Sequence, residues 1–117
     1  MIRFLLVVLL IVSAVAAQYE VVGETASISL PQTATYRRLV YVQQEHIYRV
    51  CNGKNAKTCG YWENIETKKQ VYSGNTTYNK NQKKLVIKKM KQTDFGTYMT
   101  GNKIFTQGVY QMVDYTG

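Results

Sequence analysis

After residue 17, no window of twelve residues keeps apolar side chains at a 3.6-residue period, so helices do not build this core. The chain instead alternates over short stretches. Gly23-Glu24-Thr25-Ala26-Ser27-Ile28-Ser29-Leu30 puts Ala26, Ile28 and Leu30 on one face of a strand, and Pro31 ends it because it cannot donate to a ladder. Leu39 to Gln43 and Ile47 to Cys51 are rich in β-branched and aromatic residues. Lys84 to Met90 sets Leu85 and Ile87 on one face between lysines, and Gly96 to Thr100 and Val109 to Val113 complete the set. Breakers lie between them: Asn52-Gly53, Gly60, Ser73-Gly74-Asn75, Asn79 to Asn81 and Gly101-Asn102. About seven to nine short strands in this length predict an all-β antiparallel sandwich.

The first seventeen residues follow a different logic. Arg3 precedes nine unbroken apolar residues, Phe4 to Val12, and Ala14, Ala16 and Ala17 are small. A nine-residue helix is roughly 14 Å long, against a bilayer core of about 30 Å. The pattern is that of a cleavable secretory leader, residues 1–17, ahead of one mature domain, residues 18–117. The expectation is a secreted, extracellular product with no membrane span after leader removal. Asn75-Thr76-Thr77 is an N-glycosylation acceptor, in keeping with that route.

The apolar fraction of 45% excludes a disordered chain, and 117 residues exclude several domains. Two cysteines are too few for a disulfide-dense scaffold or a four-cysteine zinc site. In an oxidising compartment, Cys51 and Cys59 read as a bridge joining the end of one strand to the start of the next. The alternative is two free thiols.

The spacing Leu85-x-Ile87-x-x-Met90-x-x-x-Asp94-x-Gly96-x-Tyr98 resembles the E-to-F strand signature of immunoglobulin-like domains. Gly23 to Leu30 is similar to the A′-to-B stretch of such domains. The resemblance implies a sandwich in which Leu85, Ile87 and Met90 face the core and Asp94 and Gly96 shape a turn. Tyr98 would bury its ring and return its hydroxyl to nearby backbone. The chain departs from the family where inter-sheet cysteines are usual: Leu30 and Thr100 occupy those places, and Tyr41 is the expected substitute for the core tryptophan. Tyr48-x-x-Cys51-x-Gly53 followed by Cys59-Gly60-x-Trp62 looks like a hairpin in small secreted nematode proteins with one such domain.

Mapped on a variable-type sandwich, one end gathers Thr33 to Arg38, Asn52 to Thr58, Asn79 to Lys83 and Gly101 to Lys103. These segments carry Arg37, Arg38, Lys54, Lys57, Lys80, Lys83 and Lys103, with Tyr36 as an aromatic contact and no acid. The formal charge is +8, or +7 once Arg3 leaves with the leader. Lys84, Lys88, Lys89 and Lys91 read as an exposed strand face and turn. Two functions follow as expectations. The first is a binding module for an extracellular protein, or a second copy, through the loop tips or the tyrosine-rich front sheet. The second is a binder of an anionic glycan or other polyanion.

Catalysis finds no constellation. His46 reads as an exposed turn residue, and Ser27, Ser29 and Ser73 stand in no nucleophile-elbow context. Glu63 and Glu66 read as surface charges. With neither a phosphate loop nor metal-ligand spacing, the expectation is a non-enzyme without metal or cofactor.

Overall fold

A computed structural model describes residues 17–112. The expected leader, residues 1–17, lies outside the described residues except for Ala17, as does Val113 of the last expected strand. Nine strands run in chain order: β1 Ala17–Glu20, β2 Ala26–Ser29, β3 Thr35–Val40, β4 Gln44–Arg49, β5 Trp62–Asn64, β6 Asn75–Asn79, β7 Lys84–Lys88, β8 Gly96–Thr100 and β9 Thr106–Gln111. One 3-10 turn, Gln92–Asp94, is the only helical element among the described residues. The strands form two sheets, β1-β9-β8-β3-β4-β5 and β2-β7-β6. Among the described residues only β1 pairs in parallel, with β9. The all-β sandwich expected from the sequence is what forms.

The core lies between the sheets. From the small sheet come Ala26, Ile28, Leu85 and Ile87, paired as Ala26 with Ile87 and Ile28 with Leu85. The large sheet contributes Tyr36, Tyr48, Trp62, Tyr98 and Val109, and Met90, Phe95 and Leu30 close the ends. Leu30 and Thr100 are both buried, so apolar packing and a hydroxyl occupy the region the resemblance would staple.

The β3–β4 hairpin corrects the sequence reading. Leu39 to Gln43 was expected as a strand, yet β3 starts at Thr35 and ends at Val40. Gln43 takes a left-handed conformation, φ 63°, and its N–H donates to Val40 O, closing a tight turn. The resulting register places Tyr36, Arg38 and Val40 inward. Tyr41 therefore falls in the turn, 58% exposed, and is not the core ring. Tyr36 and Trp62 are. Tyr36 stacks on Tyr78 at 5.3 Å and donates its hydroxyl to Pro31 O at 2.7 Å. Trp62 packs edge-on to Tyr98 and donates Nε1–H to Thr76 Oγ1 at 2.8 Å.

Cys51 and Cys59 are bridged, with Cα atoms 5.0 Å apart, in the connection from β4 to β5. Gly96 is fixed by close approach. A Cβ there would lie 2.1 Å from Leu39 O and 2.8 Å from Val40 Cα. No side chain fits without parting β3 from β8. Gly96→Ala should lower unfolding free energy by about 3 kcal/mol in urea titration, the upper range of overpacking. Reducing the nine-residue disulfide loop should cost about 2.5 kcal/mol by chain entropy, read as a lower urea midpoint in dithiothreitol.

Candidate functional site

Two side chains expected at the loop tip are core residues. Tyr36 and Arg38 are 0% exposed. Strand alternation, not charge, sets their direction, and the buried guanidinium is held through Nη1, Nε and an aromatic face, while its Nη2 has no hydrogen-bond partner among the described residues. Arg38 Nη1 donates to Asp94 Oδ1 at 2.8 Å and to Tyr98 Oη at 2.9 Å. Its Nε donates to His46 Nδ1 at 3.0 Å. The guanidinium carbon lies 4.2 Å from the Trp62 ring centroid, a cation–π stack.

Asp94 is the other half of this buried group. Its Oδ2 accepts from Gly74 N at 2.9 Å and Lys91 N at 2.8 Å, and Oδ1 accepts from Ser73 Oγ at 2.6 Å. Tyr98 donates its hydroxyl to Asp94 O, the backbone return that the motif implied. Burial pushes the Tyr98 hydroxyl up to about 12, so it stays protonated and can donate.

His46 was expected in an exposed turn. It is instead a buried residue of β4, because the shortened hairpin moves Gln44 and Glu45 into the strand. Burial first, and the Arg38 charge second, lower its pKa to about 4, with Asp94 opposing. The ring is neutral, its Nδ1 accepts from Arg38, and Nε2–H faces Gln44 Oε1 at 3.1 Å. Sequence reasoning missed this group. One available signal was the i, i+2 placement of polar Arg38 between Tyr36 and Val40.

The remaining predicted residues separate into two places. Arg37 and Lys103 lie on the outer face of the large sheet, where Glu45 meets both, at 3.5 Å and 3.2 Å. Arg37 Nε also donates to Gly101 O at 3.1 Å. The expected acid-free tip therefore has an acid against two of its cations, supplied by β4. Lys54 and Lys57 are exposed in the disulfide loop, and Lys80 and Lys83 are exposed in the β6–β7 turn. A hollow of 530 Å³ joins these segments, lined by Gln32, Thr33, Val50, Asn52 and Lys80. Asn75 and Thr77 of the glycosylation triplet are exposed on β6.

The outer face of the large sheet is the larger feature. Pairing aligns Glu63, Ile47, Arg37, Met99 and Thr106 in one row across five strands. A second row runs Glu45, Leu39, Thr97, Gly108 and Ala17. Three tyrosines close the face: Tyr19 and Tyr110 with ring centroids 5.7 Å apart, and Tyr41 stacked 6.4 Å from Tyr110. The Tyr110 ring lies across Gly108, where a Cβ would meet it at 2.7–2.9 Å. The charges on the face pair within it, Arg37 and Lys103 with Glu45 and Arg49 with Glu63 at 3.2 Å. Among the described residues no group of three or more His, Cys, Asp or Glu is placed to hold a metal, and no helix is long and apolar enough to cross a membrane.

The neutral His46 makes stability pH-dependent. Its folded pKa lies below the unfolded value of 6.5, so between pH 6.5 and 4 the unfolded chain binds more protons. Stability from this group should be complete above pH 6.5 and fall by up to about 3 kcal/mol toward pH 4. His46→Gln should flatten that slope in urea titrations at pH 4.5, 5.5 and 7.

Comparison with protein-family models, with curated proteins and with solved structures finds no match to this chain.

Proposed function

We propose that this chain is a secreted immunoglobulin-like binding module that docks an extracellular protein on the outer face of its six-stranded sheet. The observation that carries the reading is the character of that face: exposed Tyr19, Leu39 and Tyr41 beside Tyr110, with the neighbouring charges paired in place. Tyrosine offers contact area with few rotatable bonds, and charges paired within the face leave few that a partner must neutralise. The strand order supports the family likeness, since two strands extend a central antiparallel trio as in variable-type domains. The apolar leader and the exposed Asn75-Thr76-Thr77 triplet support export and glycosylation. The site performs no chemistry; it recognises.

The test is a screen of the mature chain against displayed extracellular domains, followed by face and tip variants of the chain on any partner found. Leu39→Asp with Tyr41→Asp should weaken binding by on the order of a hundredfold, as loss of a contact centre does, while the melting temperature holds. Lys54→Gln with Lys57→Gln and Lys80→Gln should leave affinity nearly unchanged. Binding that depends on the tip lysines and ignores the face pair would reverse the assignment.

A further inference from the structure

The opposite side of the sandwich carries a different surface. The small sheet points Leu85 and Ile87 inward, so Lys84, Val86 and Lys88 point out. Their ladder neighbours are Ser29 and Asn79 beside Lys84, Ser27 and Thr77 beside Val86, and Asn75 beside Lys88. None of these outward residues is acidic. Lys83 and Lys89 stand directly at the two ends of β7, and Lys80 and Lys91 lie just beyond. None of these six lysines forms an ion pair among the described residues. Lys91 contacts only the Tyr72 ring by charge, at 4.8 Å. Glu24, whose carbonyl accepts from Met90 N, stands in the ladder at the Lys89 end of β7 and forms no ion pair among the described residues.

Backbone conformation marks the same residues. Lys83 and Lys89 hold φ of 55° and 56°, the left-handed region. A residue with a Cβ gives up roughly 1 kcal/mol there, which glycine or asparagine largely avoids. Gln43, Lys68 and Lys103 share the conformation; Lys103 is matched to Glu45, and Lys68, outside this sheet, forms no ion pair among the described residues. At both ends of β7 a cation occupies a strained position and forms no ion pair among the described residues. Strain of this kind gathers where a side chain is held for a function.

We infer that the outer face of the β2-β7-β6 sheet binds a linear sulfated polysaccharide laid along β7. Lys83, Lys84, Lys88 and Lys89 are the cations of the track, and at one end Lys88 and Lys89 line a hollow of 350 Å³ with Tyr72 and Lys91. Lys84 and Lys88 are about 13 Å apart by strand rise. Ser27, Ser29 and Thr77 flank them with hydroxyls suited to a sugar chain. A single-stranded nucleic acid fits less well, because successive bases need successive rings, and the exposed ring beside the track, Tyr72, already faces Lys91 at 4.8 Å. This site is independent of the protein-docking face, which lies on the other sheet.

The test compares elution of the secreted chain from immobilised heparin and from a sulfonate cation exchanger. Any Asn75 glycan is first trimmed to one sugar, since that side chain leaves the same sheet opposite Lys88. The native chain should elute from heparin at higher salt than from the exchanger. Lys83→Gln, Lys84→Gln, Lys88→Gln and Lys89→Gln together should abolish that excess and lower heparin affinity on the order of tenfold or more, with a shallower salt slope. Lys54→Gln, Lys57→Gln, Lys68→Gln and Lys69→Gln remove equal charge and should keep most of the excess. A milder pair, Lys83→Asn with Lys89→Asn, should weaken heparin binding without lowering the melting temperature. Equal losses in the two quadruple variants, no excess over the exchanger in the native chain, or stronger displacement by single-stranded DNA than by free heparin would each overturn the proposal.

Discussion

The ion pair between Arg38 and Asp94, at 2.8 Å and with both side chains fully buried, is the contact on which the rest of the structure depends. It joins the middle of β3 to the turn before β8. Through Asp94 it also fixes Gly74 at the entry to β6, and through Arg38 it orients His46 of β4 and stacks on Trp62 of β5. Five separate stretches of chain thus converge on two charges. Burying an ion pair is costly in itself, and its return comes only when the remaining donors and acceptors are met. Here the Asp94 carboxylate accepts four hydrogen bonds, one from Arg38 and three from two other stretches of chain, Ser73–Gly74 and Lys91, while Arg38 Nη2 stays unpartnered. Removing one partner leaves the other charge stranded, a change usually worth 3–5 kcal/mol in proteins (about half of a typical domain's stability).

Local alternation was a reliable guide wherever a strand was bounded by clear breakers. Ala26, Ile28 and Leu30 face inward, as do Leu85, Ile87 and Met90, and Tyr98 makes the expected backbone return. It misled in the β3–β4 hairpin. Leu39 to Gln43 reads as a strand by residue type, but its second half turns, and Thr33 to Arg38 maps to a loop of a variable-type sandwich, yet β3 begins at Thr35. Alternation along β3 turns Arg38 inward, and the group that answers its charge there, Asp94, lies fifty-six positions away in the chain. No local pattern carries that information. With Tyr36 and Arg38 turned inward by that alternation, the tip that the sequence suggested loses its aromatic contact and one of its seven cations.

The two sheets divide the surface chemistry between them. Cations on the large sheet are answered by Glu45 and Glu63, so that face is close to electrically quiet. The lysines along β7 have no such answer. Since both sheets share one core, the net charge of the chain is less a uniform property than a polarity of the molecule. A partner approaching through bulk solvent meets a surface attractive to anions on one side and nearly neutral on the other. That segregation comes directly from the register of two hairpins, because a one-residue slip in either would send the charged set into the core.

Gly108 has a consequence for the kinetics of recognition. With no side chain beneath it, the Tyr110 ring rests on bare backbone and is held between Tyr19 and Tyr41. An aromatic seated this way has lost its rotational freedom before any encounter. A partner that lands on it has no ring to immobilise, and the usual entropic toll for ordering a contact side chain, about 0.5–1.5 kcal/mol, is already absorbed in folding. Encounters would then be limited by orientation of rigid bodies more than by rearrangement, and differences among partners would show in how long they stay.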